Sequence, residues 1–489
     1  MDALLGALRG IVGDGHVLTG GDLGAWERDW RGRARGKALA VVRPACTQEV
    51  ADVVRATAAY VQQHPDCGIG IVPQGGNTGL VLGSTPDESG TMLVLSLRRM
   101  QAVRNVDATN LSMTVDAGCI IDTLHECTSA QGLWLPLSLA AEASCTVGGV
   151  LSTNAGGTRV LRFGTARDFC LGLEVVTATG EVWDGLRGLR KDNTGYDLRQ
   201  LFIGSEGTLG IVTAATLRLY PAPKACWVAW ADVPDMASAL GLLERARYSL
   251  GDALTAFELM DRSALDLVRK HRPALRVPLY PSGAYAVLLE YCATDAGMRA
   301  PLEDTLAAAM QQGCATDAVL AENARQSRAF WQVREAIPEA QAQEGPSVKH
   351  DVSLPLGAMS SFLDATAAAL CAAIPGVRVL HFGHLGDGNL HYNVFPPEHV
   401  DGRAFVRDEE ERINDLVFAQ VTAHGGAIAA EHGIGSLRAR RLAQVEPPVA
   451  MAMMHAIKKA LDPTNLLNPG RVLLHSVQNP CMEKRPCLP

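Results

Sequence analysis

No Cys-x-x-Cys pair occurs among the 12 cysteines of this 489-residue chain, and without one the usual signatures of an iron–sulfur cluster, a zinc ribbon and a thioredoxin-like redox site are missing. Scattered singly, most of these thiols are expected to be reduced, buried small hydrophobes. No window approaches the roughly 18 uninterrupted apolar residues of a membrane-spanning helix, and Met1–Gly10 lacks the charged start and apolar run of a signal peptide. A soluble, cytoplasmic protein with no transmembrane segment is therefore the expectation. A long basic stripe is also missing: the formal net charge is −8 and the pI is near 5.9, which argues against a nucleic-acid partner. The short run Arg31-Gly-Arg-Ala-Arg-Gly-Lys37 is broken by glycine and reads as a loop leading into Ala38–Pro44, with contact to an anionic ligand or partner as the alternative. Internal repeats and low-complexity segments are absent.

What is present suffices for large cores. Hydrophobic residues make up 47% of the chain and charged ones only 20%, which suits two or three domains. Residues 38–220 alternate short apolar runs with glycine-rich turns, an α+β pattern rather than regular βαβ alternation. Pro221-Ala-Pro223 punctuates the chain. From Ala225 onward strand and helix patterns alternate through Trp227–Val233, Met236–Tyr248, Ala253–Met260, Ala284–Tyr291 and Pro301–Gln312, predicting a sheet with helices on one face. The Pro-bounded tail after Leu474, with Cys481 and Cys487, is expected to be mobile and dispensable.

The most informative stretch is His381-Phe-Gly-His384-Leu-Gly-Asp-Gly-Asn-Leu-His391-Tyr-Asn393, with Glu431-His432-Gly following later. If Leu390–Phe395 is a strand, His391 and Asn393 share one face, because side chains alternate with period two. The Gly386-Asp387-Gly388 turn can bring His384 round to that face. Adjacent Glu431 and His432 point in different directions, so one can ligate a metal while the other faces a substrate. Such a site suits chemistry on an alcohol or a carbonyl, or, with the glycine segments as plain turns, a metallohydrolase. His381 is the weakest member of the group, and His424 and His455 read as structural.

Two glycine-rich segments stand apart from these histidines: Pro73-Gln74-Gly75-Gly76-Asn77-Thr78-Gly79-Leu80 after an apolar strand, and Ser144-Cys-Thr146-Val-Gly148-Gly149-Val-Leu-Ser152-Thr-Asn154-Ala-Gly156-Gly157. Missing side chains let backbone N–H groups approach an anion closely, and two such nests suggest a pyrophosphate. Neither segment reads Gly-x-Gly-x-x-Gly or Gly-x4-Gly-Lys-Ser/Thr, which disfavours an NAD-type Rossmann site and a nucleotide triphosphatase.

These two segments, with Lys191-Asp-Asn-Thr-Gly-Tyr-Asp-Leu198, Gly204-Ser-Glu206-Gly207-Thr-Leu-Gly-Ile211 and Leu461-Asp-Pro-Thr-Asn-Leu-Leu-Asn468-Pro-Gly-Arg471, resemble the FAD-dependent D-2-hydroxyacid dehydrogenases of the vanillyl-alcohol oxidase/para-cresol methylhydroxylase superfamily. The resemblance runs from about Val41 to Val472 and implies an α+β fold. In it, a two-part FAD-binding domain (1–222, with a C-terminal return over 426–475) carries an inserted α+β substrate-capping domain (223–425), and 476–489 form a tail. It implies FAD contacts from Pro73–Leu80, Ser144, Thr146, Gly148, Gly149, Ser152, Asn154, Gly156, Glu206, Gly207 and Ile211, with Asn468 near the isoalloxazine. No histidine lies in Val72–Ser84, so noncovalent FAD is expected. The implied metal ligands are His384, His391 and Glu431, holding zinc or a similar divalent ion. His432 is the implied base, and Arg334, Lys349 and Asn393 the substrate contacts. The implied reaction oxidises a D-2-hydroxyacid, D-2-hydroxyglutarate by preference and D-lactate, D-malate or glycolate as alternatives, with an electron-transfer flavoprotein or quinone as acceptor and a homodimer as one expected assembly. Pro338 departs from the pattern, since some relatives carry a hydroxyl residue four positions after the arginine.

Overall fold

The computed structural model describes residues 1–295 and 298–474, so the tail with Cys481 and Cys487 lies outside the described residues. In the first half, strands Val17–Leu18, Ala38–Val42, Met92–Ser96 and Gly70–Gln74 lie side by side in that order, the last three parallel. Parallel neighbours need a crossover, and helix Thr47–Gln63 provides one, burying Val50, Val53 and Val54. A second sheet, Val103–Asp107, Ser112–Asp116, Ile211–Arg218, Cys170–Val176 and Val182–Gly185, is antiparallel throughout. Both sheets bury their apolar residues in one continuous core, to which Leu466 and Leu467 return from the far end of the chain. That return is stitched to strand Gly70–Gln74: Ile71 N donates to Leu466 O at 2.8 Å, and Asn468 N to Ile71 O at 2.7 Å.

The second half is built on seven antiparallel strands in the order Asp317–Leu320, Ala225–Val233, Tyr285–Ala293, Leu254–Asp261, Arg378–Gly383, Asn389–Phe395, Val348–Ser353. The expectation of helices on one face is corrected here. Both parities of its central strands are apolar, Ala229 and Ala231 alternating with Val228 and Trp230, so each face needs a cover. Helices Met236–Leu250, Ala300–Gln311, Met359–Ala373 and Gly402–Ala423 pack on one face. Arg262–His271, Ala324–Glu335 and Ile337–Glu344 pack on the other.

Two local findings refine the sequence reading. Cys226 and Cys292, directly opposite in neighbouring strands, are joined as a disulfide, an exception to the mostly reduced cysteines expected. One segment, Leu356–Ala373, is long and apolar enough by composition to cross a membrane, although its run is interrupted by Asp364. Its buried stripe of Met359, Phe362, Leu363 and Leu370 packs into the core over the seven-stranded sheet.

Candidate active site

The two glycine-rich segments, far apart in sequence, meet face to face. A Cβ on Gly75 would lie 2.2 Å from Thr146 Oγ1, and one on Gly76 2.1 Å from the Ser144 carbonyl oxygen, so both positions exclude any side chain. Around this contact the backbone is forced into left-handed conformations at non-glycine residues: Asn77 (φ 57°), Asn154 (50°), Glu206 (53°) and Asn468 (44°). Conformations of this kind persist only where neighbouring structure enforces them, and they cluster at ligand sites. The enforcing bonds are visible. Asn77 Nδ2 donates to Arg28 O (2.9 Å), Gln74 Nε2 to Trp26 O (2.9 Å) and Ser84 O (2.8 Å), and Asn468 Nδ2 to Gly83 O (2.8 Å) and Glu206 O (2.7 Å). Asn154 Oδ1 accepts from Thr165 Oγ1 and from Arg167 N. Several side chains expected at the cofactor therefore brace the loops.

Two atoms are left over. Thr146 Oγ1 and Asn468 Oδ1 are buried without a hydrogen-bond partner among the described residues. Buried polar atoms rarely go unpaired, so a donor and an acceptor beside a glycine cradle fit a polar ligand such as FAD. Of the other expected contacts, Gly148 and Gly149 lie in helix Val147–Thr153, Ser152 O accepts from Glu206 N, and Gly207 packs on Pro73. Thr78, Gly79 and Leu80 continue the first loop, and a Cβ on Gly79 would meet nothing within 4 Å. Ile211 opens a strand opposite Val176 and is buried in the core. Gly156 lies away from this cradle, with a Cβ on it only 2.8 Å from Glu431 Oε1.

Glu431 belongs to a second cluster. His384, His391 and Glu431 each offer a donor atom within 4.8 Å of the others, and Gly157 N donates to Glu431 Oε1 at 2.5 Å. His391 and Asn393 do share a face of strand Asn389–Phe395, as period two requires. Two carboxylates that sequence reasoning missed hold the imidazoles. Glu258, fully buried, lies 2.7 Å from His384 Nδ1. Asp351 lies 3.4 Å from both His391 Nδ1 and His432 Nδ1, and accepts from Glu431 N (2.9 Å) and His432 N (3.0 Å). A signal existed for Glu258, a lone acid inside the apolar run Ala256-Phe-Glu-Leu-Met260, where a buried charge must be paired.

The electrostatics ask for positive charge at this spot. Burial opposes charge on His384, yet Glu258 and Glu431 outweigh it and raise its pKa to about 9. Burial likewise works against an ionised Asp351, but His432 and His391 hold its carboxyl well below the usual carboxylate range. Two imidazoles backed by carboxylates, plus a third carboxylate, form a donor set suited to a divalent cation. His432 behaves differently: burial, only partly offset by Asp351, lowers its pKa from the ordinary histidine value and favours a neutral imidazole whose Nδ1 faces Asp351 and whose Nε2 makes no hydrogen bond among the described residues. His381, opposite Tyr392 in register, points to the other face of the sheet, where Nε2 lies 3.0 Å from Tyr285 Oη, and it takes no part in the cluster.

Three further residues border the same face. Arg334, buried, directs Nε and Nη2 at Glu258 Oε2 (2.9 and 2.8 Å) and lies over the Phe382 ring, while Nη1 makes no hydrogen bond among the described residues. Lys349 is opposite Asn393 in register and makes no hydrogen bond or ion pair among the described residues; burial and the charge of Arg31 lower its pKa to about 8. Asn393 donates to Gln341 Oε1 at 3.1 Å. Pro338 occupies the first turn of helix Ile337–Glu344, where a missing N–H costs nothing.

Residues 38–185 match the family described as "FAD binding domain", and residues 222–472 that described as "FAD linked oxidases, C-terminal domain". The chain belongs to the FAD-linked oxidase family. Within this oxidase the glycine cradle falls in the first match and the histidine–carboxylate cluster in the second. Its relatives include the mitochondrial D-2-hydroxyglutarate dehydrogenase of Arabidopsis thaliana, 37% identical over 96% of this chain and 81% of that one. The mitochondrial D-2-hydroxyglutarate dehydrogenase of Bos taurus is 38% identical over 96% and 83%, and the D-2-hydroxyglutarate dehydrogenase of Xanthomonas citri pv. viticola 37% identical over 92% of each. Among solved structures, p-cresol methylhydroxylase with substrate bound superposes with a TM-score of 0.75 at 17% identity, covering 98% of both chains. The FAD-linked oxidase thus has the two-part flavoprotein fold of the vanillyl-alcohol oxidase/para-cresol methylhydroxylase type, and FAD is its cofactor.

Proposed function

We propose that the protein oxidises a D-2-hydroxyacid to the 2-oxoacid, with D-2-hydroxyglutarate preferred, using noncovalent FAD and a divalent metal. Residues 1–222 and 426–475 are assigned to the flavin domain and 223–425 to the substrate cap. The observation that carries the reading is the convergence, on one face of the seven-stranded sheet, of a metal-competent triad, a neutral histidine and cations. The names of the relatives support the substrate class.

His384, His391 and Glu431 would hold the metal, which would supply Lewis acidity toward the hydroxyl and carboxylate of the substrate. FAD, when bound, supplies the acceptor for the hydride leaving the α-carbon. His432 Nε2 takes the hydroxyl proton, and Asp351 stabilises the imidazolium that results by keeping Nδ1–H oriented toward itself. Glu206 and Asp351 steady the segment that carries this base: Glu206 accepts from Ile434 N (2.7 Å) and Gly435 N (2.9 Å) on one side, and Asp351 from Glu431 N and His432 N on the other. Asn393 contacts the substrate hydroxyl or carboxylate, and Arg334 and Lys349 receive its carboxylates.

A dye-reduction assay over D- and L-2-hydroxyacids tests this reading. D-2-hydroxyglutarate should exceed D-lactate in kcat/KM, and Arg334→Ala should narrow that gap, since losing a desolvated charge contact costs on the order of 2–5 kcal/mol. Equal turnover of the two acids, both hurt alike by Arg334→Ala, would move the assignment to the monocarboxylate branch.

The pH profile is a second check. His432 is active as the neutral base and its pKa is lowered by burial, so its protonation should make kcat/KM fall on the acid side, below the ordinary histidine range. Lys349 is active as the cation and loses its proton near pH 8, so kcat/KM for the dicarboxylate should fall above about 8. Lys349→Arg, charged at every accessible pH, should remove the alkaline limb and leave the acid limb in place. An alkaline limb that survives the substitution would separate it from Lys349.

A further inference from the structure

We propose that Arg31, from the glycine-broken loop near the start of the chain, completes the substrate site as a further cation beside Lys349 for the far carboxylate of a dicarboxylic hydroxyacid. The inference rests on the reading just given and names a residue outside it.

The loop is built rather than free. Asp29, buried, closes it by accepting from Arg31 N (3.0 Å) and Ala34 N (2.7 Å). Asn77, on the first glycine loop, holds the backbone just before it through Arg28 O. Arg33 Nη2 bonds both carboxylate oxygens of Glu410 (2.6 and 2.9 Å) on helix Gly402–Ala423. One turn further along that helix, Asn414 Oδ1 lies 2.9 Å from Nε2 of His350, the neighbour of Lys349 in strand Val348–Ser353. Residues four apart share a helix face. The same helix face therefore anchors both the loop and the edge strand that carries Lys349, which puts the Arg31 loop at that edge of the sheet.

Arg31 arrives there without a partner. Its guanidinium makes no hydrogen bond and no ion pair among the described residues, whereas Arg33 and Arg35, two and four residues further on, are paired to Glu410 and Glu27. Its side chain is open to solvent yet enclosed enough by protein that burial, then the charges of Arg33 and Arg438, lower its pKa to about 10, with Asp29 and Asp351 opposing. Lys349 registers Arg31 among its own perturbing charges. Mutually repelling cations left unpaired among the described residues, near a carboxylate already committed to two histidines, are organised to receive an anion. A guanidinium suits a carboxylate, with two parallel N–H donors. A monocarboxylate anchored at the metal has no second carboxylate to offer this edge, so Arg31 discriminates by charge.

Steady-state kinetics of holoenzyme with D-2-hydroxyglutarate and with D-lactate test the proposal. Arg31→Ala should raise KM for D-2-hydroxyglutarate about 10–100-fold, leave its kcat within about threefold and leave kcat/KM for D-lactate within about twofold. Arg31→Lys should recover part of the loss. Equal losses on both acids, no change on either, or flavin lost from Arg31→Ala would each overturn it, the last by making Arg31 a cofactor residue. If the wild-type enzyme oxidises neither acid, the proposed function fails. Calorimetric binding of inert glutarate then decides Arg31 alone: weaker binding to Arg31→Ala upholds the anion site, and equal binding rejects it.

Discussion

Chelation should abolish turnover while the yellow chromophore stays on the protein. His384, His391 and Glu431 sit on and beside the seven-stranded sheet, whereas the glycine cradle belongs to the other half of the molecule, so stripping a metal from the first leaves the second intact. Losing a Lewis acid worth several kcal/mol at the transition state lowers kcat by about 10³-fold or more. His391→Ala should mimic chelation, and restoring zinc should rescue the stripped wild type but not the variant. Asn393→Ala, by contrast, should cost activity more than metal affinity. Elemental analysis and visible absorbance follow metal and flavin separately. A metal-free, flavin-loaded enzyme with full activity would show that the triad is structural.

The second large effect is expected at the cradle. Gly76→Val should yield protein without flavin, because its Cβ would land on the Ser144 carbonyl and push apart the two loops whose approach forms the site. A variant that fails to fold would also be colourless, so Thr146→Val supplies the gentler test. It preserves shape and deletes a hydroxyl that has no hydrogen-bond partner among the described residues, and it should weaken FAD binding about tenfold with the melting temperature of the apoprotein unchanged. In the wild type, acid or heat should release FAD into solution, since Val72–Ser84 presents no histidine to which it could be tethered. Flavin that stays with the precipitated protein would contradict noncovalent binding, and unchanged affinity in Thr146→Val would remove Thr146 from the site.

Local pattern carried much of the architecture. Apolar runs bounded by glycine and proline located most strands to within a few residues, for example Ala38–Val42 and Met92–Ser96, because strand periodicity and turn chemistry are short-range properties. Strand Val348–Ser353 was not legible as such: its Lys-His-Asp core is polar, and it is a strand because Asn389–Phe395 pairs with it. The two-faced cover of the large sheet was missed because the helices at Ala324–Glu335 and Ile337–Glu344, rich in Arg, Gln and Glu, show little of the apolar stripe that announces a core-facing helix.

By itself the sequence determined that two segments are rich enough in glycine to let backbone approach an anion, that His391 and Asn393 share a face, and that an imidazole and a carboxylate adjoin at Glu431-His432. These follow from backbone geometry over a few residues. Only the tertiary structure decided which carboxylates hold the imidazoles, because Glu258 reaches His384 across 126 residues of sequence and Asp351 meets His432 across 81. It also turned His381 away from the cluster. Such pairings depend on strand register and on which helix covers which edge, and no local pattern encodes either.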